Sequence, residues 1–290
     1  MKSGWVILDK DSGLFSRTAG GKIARMVGTK KFGHIGTLDP MATGVLAIAI
    51  GDATKMIPFI EEHNPPIKEY LFSLQFGFET DTLDITGHEI ARNDIIPSES
   101  DVRSVLPKLI GKISQIPPQY SAVHVNGVRA YDAARRGRII EIPPRSIEIF
   151  ELEFLGIRDK SWYFRVRCST GTYVRSIARD IAQNCGALAT VDMIRRTQSG
   201  AYDIKNAVKL DFLENLFNNN ACIDEKLMPV DFGLGDIPVL NLSDKDADFY
   251  KNGGFIETDA ESGLKRVYSN NLFIGIGDVT GGKLRPKRTI

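Results

Sequence analysis

Apolar and polar residues alternate with a period of two at Trp5 to Leu8, Tyr70 to Phe78, Ile147 to Leu155 and Ser161 to Cys168. Gly, Pro and Asn bound these stretches. Side chains spaced in this way face opposite sides of a pleated backbone, so the pattern predicts strands. A helical period replaces it at Ala19 to Val27, Ser98 to Leu109, Tyr173 to Gln183 and Leu210 to Phe217, with Ser98 and Asp101 as candidate caps of the second helix. Strands and helices interleave without the regular strand–helix–strand spacing of a doubly wound sheet. The expected class is therefore α+β, built around a mixed, mainly antiparallel sheet.

One stretch stands apart from both periods. Residues 33 to 46 read Gly-His-Ile-Gly-Thr-Leu-Asp-Pro-Met-Ala-Thr-Gly-Val-Leu, and an apolar run to Ile50 follows. Three glycines, an Asp-Pro step and two threonines surround a single carboxylate, which places Asp39 on a tight loop feeding a buried strand. Glycine permits a left-handed backbone and the close approach of another molecule, while Pro40 fixes the turn. An aspartate before proline commonly caps its own turn. The same loop is also built to present Asp39, and turn chemistry alone leaves both readings open.

At 290 residues, with 42% hydrophobic and 25% charged side chains, the chain is long enough for a substantial core and two domains. No apolar run is long enough to span a bilayer, and Met1-Lys2-Ser3 leads into a short strand rather than a signal segment. A cytoplasmic protein with no membrane partner is expected. Cys168, Cys185 and Cys222 are odd in number and far apart, which predicts core thiols rather than disulfides or a Cys-x-x-Cys metal site. Lys and Arg total 37 against 36 Asp and Glu, so bulk charge does not announce nucleic acid. Local charge says more. Arg129, Arg135, Arg136, Arg138 and Arg145 are set against only Asp132 and Glu141, and Lys283, Arg285, Lys287 and Arg288 have no acid beside them in sequence. Such runs serve as solvated faces or as phosphate contacts.

Residues 117–146 open on Pro-Pro, carry an Asn126-Gly127 turn and a candidate short helix at Tyr131 to Arg136, and close on Pro143-Pro144. This is the outline of a mobile lid or of an ordinary surface excursion. Asp231 to Asp236 is Gly-rich and predicts a linker; beyond it, Tyr250 to Gly254 and Leu272 to Val279 read as short glycine-punctuated strands. Nucleotide-cofactor motifs fail. Gly28 to Gly33 has Walker spacing, but His34 and Ile35 stand where Lys-[Ser/Thr] is required, and Gly275-Ile276-Gly277 with Gly281 misses the dinucleotide spacing by one. His34, His63, His88 and His124 show no metal-ligand spacing. No cofactor and no metal are expected.

The residues just described carry a resemblance to the TruB family of tRNA pseudouridine synthases. Residues 33 to 46 match its signature G-H-x-G-[TA]-L-D-P-x-A-[TS]-G-[VM]-L. Gly4 to Ser16 is similar to the N-terminal block, with Asp11 where proline is usual. Lys68-Glu69-Tyr70 with Thr80 to Asp84, then Ile116 to Ala122, Gly171 to Ile177 and Ile194 to Gly200, are similar to four further blocks. His124 stands where the family carries lysine. The resemblance covers about residues 4–232. It implies a pseudouridine synthase fold over residues 1–232, with 117–146 as an RNA-contacting insertion, and a small β-rich PUA-like RNA-binding domain over 236–290.

It also implies an activity: isomerisation of uridine to pseudouridine in the T arm of tRNA, at the position conventionally numbered 55, by a monomer without cofactor. The base must leave N1 of its sugar link, turn, join through C5 and lose the C5 proton. By resemblance Asp39 is the reacting carboxylate and Arg175 the cation beside it. Tyr70 stacks on the target base and takes the C5 proton, and Tyr173 lines the same pocket. His34 fills the gap left by the everted base, Ile194 meets that base through its backbone, and Lys10, with Lys22, Lys30 and Lys31, contacts phosphates.

A carboxylate either adds covalently or takes a ribose proton to give a glycal, and the sequence leaves both routes open. A buried carboxylate needs an opposed charge to stay ionised, and Gly171-Thr172 marks a strand-to-helix turn at which an arginine can hold one rigidly. A phenol is a weak base, so Tyr70 needs help from its surroundings. Two rival classes are a non-catalytic tRNA-binding or folding factor on the same scaffold and a small-molecule nucleotide enzyme. The intact Asp39, Tyr70 and Arg175 set argues against the first, and the missing phosphate loops against the second.

Overall fold

The computed structural model describes residues 2–63, 65–125 and 127–290; Asn126, and with it half of the expected Asn-Gly turn, lies outside the described residues. The main sheet runs, edge to edge, through Val208–Lys209, Gly4–Lys10, Thr43–Ile50, Ala189–Ser199, Lys68–Phe76, Ser161–Cys168, Arg145–Arg158 and Gly111–Gln115. Phe32–Ile35 adds to Thr43–Ile50, and Tyr202–Asp203 to Ala189–Ser199. Neighbours are antiparallel except where Gly4–Lys10 meets Val208–Lys209 and where Thr43–Ile50 meets Ala189–Ser199. The sheet is mixed and mainly antiparallel, as expected.

Burial explains the sequence patterns. Thr43–Ile50 sends Leu46, Ile48 and Ile50 into one core and Val45, Ala47 and Ala49 into another, so a strand covered on both faces reads as an unbroken apolar run. In Ser161–Cys168, by contrast, Trp162, Phe164, Val166 and Cys168 are buried, while Arg165 and Arg167 on the other face pair with Glu153 and Glu151. The first core is closed by the helices Ser16–Val27, Glu99–Val105, Val174–Asn184 and Leu210–Asn218, through Ile23, Val102, Ile177 and Leu213.

Boundaries shift where local chemistry overrides the period. Ser98 and Asp101 form a reciprocal capping box, worth about 1 kcal/mol. Pro107 then tightens the chain into a 3-10 turn at Leu106–Leu109, so the second helix stops at Val105 rather than running to Leu109. The strand expected from Tyr70 to Phe78 breaks at Gly77, whose φ of +104° turns the chain. Ala189–Ser199 escapes the alternation pattern altogether. Asp192, Arg195, Arg196 and Gln198 interrupt its apolar residues, and only its pairing with Lys68–Phe76 reveals it as a central strand.

Residues 117–146 carry a hairpin, His124–Val125 with Val128–Arg129, and a helix at Ala130–Arg135. Val123, Ala130 and Ile142 make a small core against which Tyr173 packs. The Gln119 amide closes the excursion, donating to the Ile140 carbonyl and accepting from its N–H.

In the C-terminal region, Val239–Asn241, Gly263–Ser269, Leu272–Thr280, Lys283–Thr289 and Ile256–Glu257 form a separate five-stranded sheet. The strand expected at Tyr250 to Gly254 is instead the end of a helix, Asp244–Lys251, and the turn after it. Ser243 caps that helix by accepting from the Asp246 N–H, and Ala247 and Tyr250, three residues apart, share its buried side. The Asp231–Asp236 stretch is a packed joint rather than a free linker. Asp231 pairs with Arg266 at 2.8 Å, and Leu234 shares a core with Trp5 and Ile276. Across the second sheet Asp278 lies 3.6 Å from Lys287, so the basic tail does have an acid near it. Of the three cysteines only Cys168 is buried; Cys185 is half-buried and Cys222 exposed. Among the described residues no helix is long and apolar enough to cross a membrane.

Candidate active site

The loop that carries Asp39 leaves the sheet where its two parallel central strands meet, at Thr43 against Arg195 and Gly44 against Arg196. Gly44 has φ +95°, and a Cβ there would lie 2.1 Å from the Arg196 carbonyl oxygen, so nothing larger fits. Both flanks of Asp39 are pinned. Ser16 Oγ donates to the Leu38 carbonyl and accepts from the Leu38 N–H, each at 3.0 Å, while Pro40 O accepts from the Gly13 N–H at 2.8 Å. Ala42 N–H closes the turn on Asp39 O at 3.1 Å.

Arg175 comes from the second position of the Val174–Asn184 helix, and its guanidinium gathers three segments. Its Nη2 lies 2.9 Å from Asp39 Oδ2 and donates to Tyr120 O at 2.9 Å; its Nη1 donates to Thr82 O at 2.7 Å and sits 3.6 Å from Asp84 Oδ2. Asp84 is itself buried and accepts from the Thr82 hydroxyl and the Thr86 N–H. Leu83, between the two Arg175 partners, adopts φ +63°, a conformation that costs a bulky residue about 1 kcal/mol or more. A strained loop thus aims Thr82 O and Asp84 at one arginine.

Tyr70 is buried on Lys68–Phe76, directly across from Arg196. Burial pushes its phenol above the ordinary tyrosine range, with the Arg196 charge pulling the other way. The surroundings therefore keep the phenol protonated, opposite to the help that a general base was expected to receive. Tyr173 caps the Arg175 helix, gripped by Gln115, which donates to its carbonyl at 3.2 Å and accepts from its N–H at 2.9 Å. His34 is half-buried with Nε2 3.0 Å from Thr37 Oγ1, and burial, then Arg196 and Arg17, pull its pKa down. It is a neutral ring. Ile194 is buried, and its carbonyl accepts from Thr43 Oγ1 at 3.3 Å.

Lys10 does not fit the expectation of a phosphate contact. Lys10 is fully buried and donates to the carbonyls of Asp11, Leu14 and Pro40 at 2.9, 2.7 and 3.0 Å. An ammonium has three protons, so none is left for a phosphate; Lys10 is a clamp under the Asp39 loop. Lys22 pairs with Glu214 and Lys31 with Asp52.

Three charged residues of the site went unassigned in the sequence. Asp84 and Arg196 lie inside matched blocks, and Lys68 opens one. Their burial is what marks them, since Lys68 is 9% exposed, Asp84 3% and Arg196 not at all, and charges so placed are kept only when something nearby uses them.

Comparison with known proteins places the chain in a family. The family model described as TruB family pseudouridylate synthase, N-terminal domain, matches residues 24–174; models of the tRNA pseudouridylate synthase B C-terminal domain and of the pseudouridine synthase II TruB C-terminus match 175–234 and 238–290. A protein of Ehrlichia chaffeensis named tRNA pseudouridine synthase B is 38% identical, with 98% of each chain covered. One of the same name from Dinoroseobacter shibae is 40% identical over 99% of this chain and 94% of its own. A chain of a solved Cbf5-Nop10-Gar1 complex superimposes with a TM-score of 0.72 at 20% identity, covering 99% of this chain and 85% of that one, which speaks for the fold. With these full-length matches, the chain belongs to the TruB family of pseudouridylate synthases.

Proposed function

We propose that the protein isomerises uridine to pseudouridine in tRNA, in the T arm at position 55, with Asp39 as the reacting carboxylate. The activity is the one its relatives are named for. One observation carries the residue assignment: Arg175 lies 2.9 Å from an Asp39 side chain that is still 39% exposed. A carboxylate held by a cation on one side and open on the other can meet a sugar carbon or proton.

On this reading the target uridine is everted from the folded arm, at a cost of a few kcal/mol of unstacking. His34, uncharged, stacks beside the vacated position, Tyr70 and Tyr173 flank the everted ring, and the Ile194 backbone meets its edge. Asp39 reacts at the ribose while Arg175, 2.9 Å away, keeps it aimed. Residues 117–146 close over the RNA, because Tyr120 O already rests on Arg175. The C-terminal sheet, with Lys283 and Arg285 over the Phe255 ring, adds a basic aromatic surface of the type that binds RNA. The protein works in the cytoplasm as a monomer.

The test is incubation with an unmodified tRNA transcript followed by pseudouridine mapping. A single pseudouridine in the T arm is expected. Product only elsewhere would remove the site assignment, and no product would remove the activity.

A further inference from the structure

Arg196 is fully buried, yet its guanidinium is only partly used. Its Nε donates to Val45 O at 2.7 Å and its Nη2 to Gly36 O at 2.8 Å, but Nη1 is buried without a hydrogen-bond partner. Lys68 shares this position. A Cβ added to Gly36 would sit 3.1 Å from Arg196 Nη1 and 3.2 Å from Lys68 Nζ, so both cationic nitrogens converge beneath the Asp39 loop. Lys68 Nζ donates to Thr170 Oγ1 at 3.3 Å, and neither cation forms an ion pair among the described residues.

Two buried cations without a carboxylate are expensive, and apolar side chains of similar volume would ordinarily be more stable. What they face explains them. Arg196 and Tyr70 are direct cross-strand partners, and Lys68 lies two residues from Tyr70 on the same face of its strand. The charged or titratable groups around the Tyr70 phenol are Arg196 on the Ala189–Ser199 strand, Cys168 at the end of Ser161–Cys168 and Asp39 on the loop, with Lys68 on its own strand. Of these, Arg196 is the cation that draws the phenol's pKa down against the effect of burial, and it is also the direct cross-strand partner of Tyr70.

We propose that Arg196 is a positioning residue for the isomerisation that acts through Tyr70: its free Nη1 holds the negative charge of the Tyr70 oxygen as that oxygen takes the C5 proton. This rests on the proposed activity. The step balances as follows. Tyr70 gives its hydroxyl proton to solvent, and its oxygen then accepts the proton from C5. The C5–H electron pair becomes the C5–C6 double bond of pseudouridine, and the ring nitrogen freed from the sugar takes a proton from solvent. Lys68 adds a second positive charge to the same floor.

The experiment compares wild type, Arg196→Met and Arg196→Lys. Tyr70 ionisation is read by ultraviolet difference titration of each protein against its Tyr70→Phe counterpart, alongside kcat and KM on tRNA across the alkaline range. Arg196→Met is expected to move the Tyr70 titration up by about one pH unit or more and to lower kcat near neutral pH about tenfold, with KM within about twofold. Arg196→Lys, which keeps the charge, restores most of kcat. Should the Met variant not fold, Lys68→Met takes its place, with a smaller upward shift expected. A Tyr70 titration that stays in place, or a raised KM with kcat unchanged, would make Arg196 a structural residue only. Failure of wild type to make pseudouridine would overturn the activity itself, a result independent of the titration.

Discussion

Arg175 and Asp39 are unequal partners: the arginine side chain is 4% exposed and the aspartate, 2.9 Å away, 39%. The cation is committed on its other edges to the Thr82 and Tyr120 carbonyls, whereas the anion keeps a side free. An ion pair with one solvated member contributes little to stability. Its geometry makes sense as a way of holding a reactive carboxylate.

Replacing that carboxylate with its neutral isostere separates chemistry from binding. Asp39→Asn is expected to bind tRNA as wild type does and to lose turnover by roughly a thousandfold or more. Release of tritium from RNA labelled at uridine C5 measures this, and an active Asn variant would remove Asp39 from the reaction.

Asp84 should matter to the fold as well as to the site. It is buried, and Asp84→Ala leaves the Thr86 N–H without its acceptor and the buried Arg175 without one of its two carboxylates. A loss of about 2–4 kcal/mol in unfolding free energy is expected. Urea denaturation reads it directly, and a change under about 0.5 kcal/mol would mean that Arg175 is oriented without this carboxylate.

Lys10 distinguishes a clamp from a phosphate contact. Lys10→Met strips donors from three carbonyls and is expected to lower stability by about 2–4 kcal/mol. The slope of log affinity for tRNA against log salt should stay unchanged, because no phosphate loses a counter-charge. A shallower slope would restore Lys10 to the RNA interface.

Lys68 sets a pH dependence with a defined sign. Burial pulls its pKa down from 10.5 to about 8. Below about 8 it is charged in both folded and unfolded chains, and its burial cost is present in full. Between about 8 and 10.5 the folded chain sheds the proton first, so the unfolded state binds more protons and stability rises with pH. Relative to Lys68→Met, wild type should gain up to about 1 kcal/mol per pH unit across that window, and the variant should be the more stable near neutrality. Equal pH dependence in the two proteins would show that Lys68 is not desolvated.

Much of the site was legible because it lies in short contiguous stretches. The Gly33–Leu46 block announced a tight loop around one carboxylate from its glycines and proline, and its likeness to a family signature marked that carboxylate as presented; strands such as Ser161–Cys168 announced themselves because one face is buried and the other solvated. The helix after Gly171-Thr172 was legible for the same local reason. Where the chemistry depends on what a segment packs against, the pattern was silent or misleading. Ala189–Ser199 hides its strand behind Asp192, Arg195 and Arg196, of which Arg195 pairs with Asp9 while Arg196 lies opposite Tyr70, and Tyr250 signalled a strand end while serving as the buried residue of a capped helix.

The sequence by itself determined the fold class and the Asp39 loop, which depend on local backbone chemistry, and pointed to Arg175 as the partner only through the likeness of a short ordered motif to the TruB family. Only the tertiary structure decided that Lys10 is a clamp, that Asp84 stands behind Arg175, and that Arg196 and Lys68 lie beneath Tyr70 without carboxylates of their own. Charge has no periodicity that reports burial. Whether a cation meets water, a carbonyl or a phenol is settled by which distant strand lies beside it.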